Sequence, residues 1–85
     1  MIFVVGAKAV AKDFSGLDTK NLCNQELTVV KRSDSFVTIE SKEGTTVRFK
    51  PKMAKDMEWG TSEPIYFFVP VEHKSYLGVE YASHC

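Results

Sequence analysis

The sequence predicts an all-β fold, a small antiparallel barrel of five to six strands with one short helical turn. Three observations carry that expectation. The run from Leu27 to Lys50 alternates apolar and polar residues around two short polar turns, the period of half-buried strands. A second apolar run, Ile65 to Val71, has the same period. Between and around them lie one long early polar loop and only a short stretch with room for a helical turn, the pattern of a small closed sheet.

The first strand is expected over Val5 to Lys12, where alternation puts small residues on one face and Lys8, Val10 and Lys12 on the other. Asp13 to Glu26 is rich in Gly, Asp, Asn, Ser and Thr and reads as a long loop, with room for one helical turn after Asp18.

The next three strands form a meander whose register follows from its turns, because residues directly opposite in an antiparallel pair share a face. A three-residue turn, Lys42-Glu43-Gly44, pairs Glu40 with Thr46, Ile39 with Val47, Thr38 with Arg48 and Val37 with Phe49. It separates apolar from charged residues and puts Gly44 where a left-handed residue is needed. A two-residue Glu43-Gly44 turn would mix charge into both faces. A three-residue turn at Ser33-Asp34-Ser35 aligns Val29 with Ile39 and sets Lys31 beside Val37. The inward set is then Leu27, Val29, Val37, Ile39, Val47 and Phe49. The outward set gathers Arg32, Phe36 and Lys50, with Val30, Thr38 and Arg48 in the next row. A slip of one residue would exchange the two sets.

Pro51 ends the ladder because it has no N–H to donate. Residues 52–58 are expected to make the short helical turn, and 60–64 a loop. In the late strand Ile65, Phe67, Val69 and Val71 share one face and Tyr66, Phe68 and Pro70 the other. A strand apolar on both sides is covered on both sides or belongs to an interface. Tyr76 to Tyr81 is expected to give a last strand, with Leu77, Val79 and Tyr81 alternating against Glu80.

The order AVAKDFSG, a long polar loop, ELTVVKR, a short turn, FVTIES, a hairpin with Gly44, and TTVRFKP resembles an SH3-type barrel over roughly residues 7 to 55. The tryptophan pair that opens the third strand in that family is replaced here by Phe36-Val37, and no proline-serine-aromatic motif follows Phe49. Recognition of proline-rich ligands is therefore not carried over. The resemblance implies an SH3-like fold used for many kinds of binding, and fold alone does not give function.

With 85 residues the chain is a single domain with a modest core. Its Met1 and lack of linkers lead us to expect a unit complete in itself. Eleven basic and eleven acidic residues give zero formal charge, which argues against a protein held to nucleic acid mainly by phosphate neutralisation. Locally, however, Arg48 to Lys55 carries Arg48, Lys50, Lys52 and Lys55 and no anion. The apolar opening has no preceding basic residue and is broken by Lys8 and Lys12, so neither a signal peptide nor a membrane span is expected there. Cys23 and Cys85 are too few for a disulfide framework. A cytoplasmic, reduced protein is expected, with a Cys23–Cys85 bridge as the alternative for an oxidising compartment.

Candidate chemistry is sparse. Cys23, His73, His84 and Cys85 are soft or borderline metal ligands, but nothing pairs them at ligand spacing. No nucleophile elbow or phosphate loop is present, and Asp13 and Asp18 read as ordinary loop carboxylates. No catalytic residue, metal or cofactor is assigned. The first functional expectation is a stand-alone, non-catalytic module that docks on a partner protein as an adaptor or inhibitor. Its contact residues would be Met53, Met57, Trp59, Tyr66 and Phe68, types that fill interface centres, although Met53, Met57 and Trp59 would equally serve as a plug for the barrel's open end. Were Tyr66 and Phe68 uncovered, a homodimer through the Ile65–Val71 strand would follow. The alternative is a small nucleic-acid-binding barrel using Arg32, Phe36, Arg48, Lys50, Lys52 and Lys55, cations around a ring on which a base stacks. Against it stands a plain solvated face on which cation stems shield Phe36.

Overall fold

A computed structural model describes residues 2–23 and 25–77, the last three of these by backbone alone. The fold is mainly β. Seven strands, two or one more than expected, follow in the order β1 (Lys8–Asp13), β2 (Leu27–Arg32), β3 (Val37–Glu40), β4 (Thr46–Phe49), β5 (Lys52–Ala54), β6 (Met57–Ser62) and β7 (Tyr66–Pro70). A 3-10 helix, Val71–Leu77, closes the described chain. The strands form one antiparallel sheet, β4-β3-β2-β1-β7-β6-β5. It curls into a half-barrel in which β4 meets β6 across the opening.

The β3–β4 hairpin has the expected register, with Val37 opposite Phe49, Ile39 opposite Val47 and Glu40 opposite Thr46. Gly44 takes φ +88°, and its N–H donates to the Ser41 carbonyl at 3.0 Å. The buried Ser41 hydroxyl accepts the Thr45 N–H at 3.1 Å and so pins the turn. The β2–β3 connection differs. Ser33 donates its N–H to Phe36 at 2.9 Å, which leaves a turn of Asp34 and Ser35 alone. A β-bulge between Val29 and Lys31 absorbs the missing residue: Val29 still faces Ile39, but Arg32 now lies opposite Val37 and Lys31 opposite Thr38. Lys31 therefore does not line the apolar rim, and Arg32 leaves the outward row for the interior.

Two other expectations are corrected. Residues 52–58 form no helical turn; they are the β5–β6 hairpin, Lys52 opposite Trp59 and Ala54 opposite Met57, turned at Lys55 with φ +56°. Pro51 ends one ladder without ending the extended chain. The first strand starts later than expected and reaches Asp13, whereas most of the expected last strand lies outside the described residues.

Inside the curl, Ala9, Ala11, Leu27, Val29, Val37, Ile39, Val47, Phe49, Tyr66 and Phe68 are buried. The small residues of β1 make room for large ones: Ala11 stands opposite Phe68, and Ala9 opposite Pro70. An aromatic spine runs through this core. Phe3 meets Phe49 edge-on at 5.2 Å, Phe49 stacks on Phe68 at 4.9 Å, and Phe68 touches Tyr66 at 5.8 Å. Phe3 is fully buried in this core, whereas Met57 and Trp59, two of the three residues expected to plug an open barrel end, belong to a separate cluster and Met53 is exposed. Leu22 and Cys23 from the long loop are buried in the same core.

Candidate functional site

Beyond β4 the chain keeps an alternation that sets the outer surface. Val47 and Phe49 point into the core, while Arg48, Lys50 and Lys52 are exposed. Phe36 ends the tight Ser33–Phe36 turn, its N–H donating to the Ser33 hydroxyl at 3.1 Å. It stays 40% exposed, and the Arg48 guanidinium lies over its ring at 4.6 Å. Such a contact contributes about 0.5–1 kcal/mol at an exposed site. Lys50 follows one step beyond the Val37/Phe49 pair and belongs to the same edge.

The second ring on this surface is Trp59, opposite Lys52 in the β5–β6 hairpin. The Lys52 ammonium sits 5.3 Å from its centroid, and Trp59 stacks on Phe67 at 5.0 Å with planes 14° apart. Phe67 in turn meets Phe14 at 5.8 Å. Beneath these rings a second, smaller cluster of buried Met57 and Val69 with half-buried Val10 holds the row in place. Phe67 and Phe14 were not singled out in the sequence. The signal for Phe67 was there, since alternation in 65–71 set it on the face opposite Tyr66 and Phe68.

Of the residues expected to meet nucleic acid, Phe36, Arg48, Lys50, Lys52 and Lys55 are exposed, and Arg48 lies over Phe36. Arg32 is the exception. Turned inward by the bulge, it places Nη2 2.9 Å from Oε2 of Glu58, with both side chains nearly buried. Glu58 Oε1 accepts the backbone N–H groups of Ile2 at 3.1 Å and Phe3 at 2.7 Å, so the pair ties β2, β6 and the chain's beginning together. Burial is the largest single influence on the Glu58 carboxyl and pushes its pKa up. The Arg32 hydrogen bond, the Phe3 N–H, the Arg32 charge and the Ile2 N–H push it down and together hold it below 4.5.

The residues expected to meet a protein partner differ sharply in exposure. Met53 is 62% exposed and Trp59 half-buried, but Met57 is buried and Tyr66 and Phe68 are inaccessible. For Tyr66 the reason is the loop: its hydroxyl donates to Asp18 and accepts the Lys20 N–H at 3.2 Å, so residues 18–20 close over that side chain. Burial, then the Asp18 hydrogen bond, raises the Tyr66 phenol from 10.0 to about 12; the Lys20 N–H opposes this, and the charges of Asp18 and Asp13 add to it. The condition on which a homodimer through this strand was expected, uncovered Tyr66 and Phe68, is not met: both are buried, and β7 is paired on both edges, to β1 and β6.

Asp13 and Asp18 serve local structure. Asp13 accepts both the N–H and the hydroxyl of Ser15, at 2.9 and 2.6 Å, and Asp18 accepts the Leu22 N–H at 2.9 Å. Among the described residues no group of three or more His, Cys, Asp and Glu side chains gathers as metal ligands would. His84 and Cys85 lie outside the described residues, and with them the question of a Cys23–Cys85 bridge. No helix among the described residues is long and apolar enough to cross a membrane. No protein-family model, curated protein or solved structure matches this chain.

Proposed function

We propose that this protein is a non-catalytic binding barrel, SH3-like in the order of its first strand, long loop and meander, and that it binds nucleic acid through Phe36, Arg48, Lys50, Lys52, Lys55 and Trp59. One observation carries the reading: two exposed cations from strands consecutive in the chain, β4 and β5, are each seated on a ring, Arg48 on Phe36 and Lys52 on Trp59. Cations meet phosphates and flat rings take bases, and the two functions interleave here residue by residue. The inward pairing of Arg32 with Glu58 also favours it, because the carboxylate of β6 is neutralised inside the barrel and does not oppose the patch. The test is retention of labelled oligonucleotide across a salt series. Wild type should lose affinity as salt rises, and Arg48→Glu/Lys50→Glu should abolish binding while keeping its melting midpoint, since exposed charge changes move stability by about 0.5 kcal/mol or less.

Met53 favours a second reading, the docking of a partner protein. At 62% exposure it is the most open large apolar residue of the sheet, and it stands in β5, a strand at the edge. A partner captured by wild type and lost in both Met53→Ala and Trp59→Ala, with no change on adding salt, would support that reading over the first.

A further inference from the structure

We propose that the nucleic acid is a single strand, read by stacking, and that Trp59 is its fixed platform with Lys52 as a displaceable cap. The proposal rests on the nucleic-acid reading and deepens it.

Charge comes first. With no net charge, the protein has little of the field by which duplex binders gather phosphates. Binding strength must then come from ring contacts, and the faces of bases are open only when the strand is unpaired.

Geometry comes second. Trp59 cannot turn freely: Phe67 is stacked against one face at 14°, and Trp59 packs on the cluster of Met57 and Val69. A ring held in this way loses little freedom on binding, so stacking a base on it is not offset by ordering. Trp59 stays half-buried, and the Lys52 ammonium sits 5.3 Å from its centroid on a lysine that is itself exposed. When a base stacks on the ring, the ammonium is free to move to the adjoining phosphate, exchanging one favourable contact for another. Phe36 under Arg48 repeats the arrangement, with Lys50 between the two along the chain.

Trp59 is the sole tryptophan, so its fluorescence reports the stacking directly. The protein is titrated at low salt with an oligothymidylate of about eight nucleotides and with a duplex of equal length. A saturable quench by the single strand, with the duplex bound at least roughly tenfold more weakly, is the expected result. By anisotropy of a labelled strand, Trp59→Ala should weaken binding by roughly tenfold or more, as loss of one stacked base does. Lys52→Ala should lower the slope of log affinity against log salt by about 1. Trp59→Phe, which keeps a ring, should retain most of the binding and guards against misreading a folding defect. Equal binding of duplex and single strand without a quench would overturn this inference and leave the nucleic-acid reading standing. No binding of either would overturn both and turn attention to Met53.

Discussion

The ring of Phe49 in β4 lies directly over Gly60 in β6, so close that a Cβ at position 60 would stand 2.1 Å from the nearest ring carbon. Gly60 does not have a left-handed φ; the requirement is one of space. This is where the open half-barrel is pinned across its gap, because β4 and β6 share no ladder. Gly60→Ala should therefore destabilise by about 1–3 kcal/mol through overpacking. Chemical denaturation will check it, and adding Phe49→Leu should recover part of the loss.

The Arg32–Glu58 pair gives an acid signature. Glu58 is depressed in the fold, so its contribution is fully present above 4.5 and lost as pH falls through the lower folded value. Arg32→Met leaves the carboxylate nearly buried without its cation and should cost about 3 kcal/mol or more at neutral pH. Denaturation midpoints between neutral and acid pH should fall for wild type and fall less for the variant. A variant as stable as wild type would remove the pair from the account.

Tyr66 sets the alkaline limit. Its phenol is raised from 10.0 to about 12, so its contribution is complete below 10.0 and disappears as pH climbs towards 12. An absorbance titration should show one of the three tyrosines ionising only at that end. Tyr66→Phe should remove that step and cost about 1 kcal/mol for the lost hydrogen bonds.

Gly44 differs from Gly60 in its reason for being glycine. Nothing lies within 4 Å of a Cβ there, but φ is +88°. Gly44→Val should destabilise by about 1 kcal/mol or more from backbone strain alone, and Gly44→Asn by less. An unchanged melting midpoint in both would contradict the turn.

Much of the fold was legible where side-chain period and turn chemistry agree. The β3–β4 hairpin could be read pair by pair because Gly44 admits one turn and the alternative mixes charge into the core. The β2–β3 turn carries no glycine, so its length was not encoded in a residue type, and the error moved Arg32 from surface to core. The inward choice of Phe68 depended on Ala11 across the sheet, a complementarity of volumes between strands far apart in sequence. Lys52 to Glu58 was misread because two extended residues around a tight turn look like a short helix when neither strand is long. The exposed cations and Phe36 were legible, since each needed only a local register. The cap of Lys52 on Trp59 was not, because it exists only once β5 and β6 pair.

The bulge at Val30 and the short turn at Asp34-Ser35 are two halves of one length agreement. With β2 and β3 at their present lengths neither can change alone. A three-residue turn at Ser33-Asp34-Ser35 would let β2 and β3 zip without a bulge, and Arg32 would then swing to the outside beside Phe36. The surface would gain a cation, but Glu58 and the backbone groups of Ile2 and Phe3 would lose the clamp that seats the buried Phe3. In this chain a one-residue change of turn length in an exposed loop, ordinarily among the mildest of changes, would trade an anchored chain start for a more basic exterior. Deleting Val30 would instead remove the bulge, leave Arg32 opposite Val37 and keep the anchor.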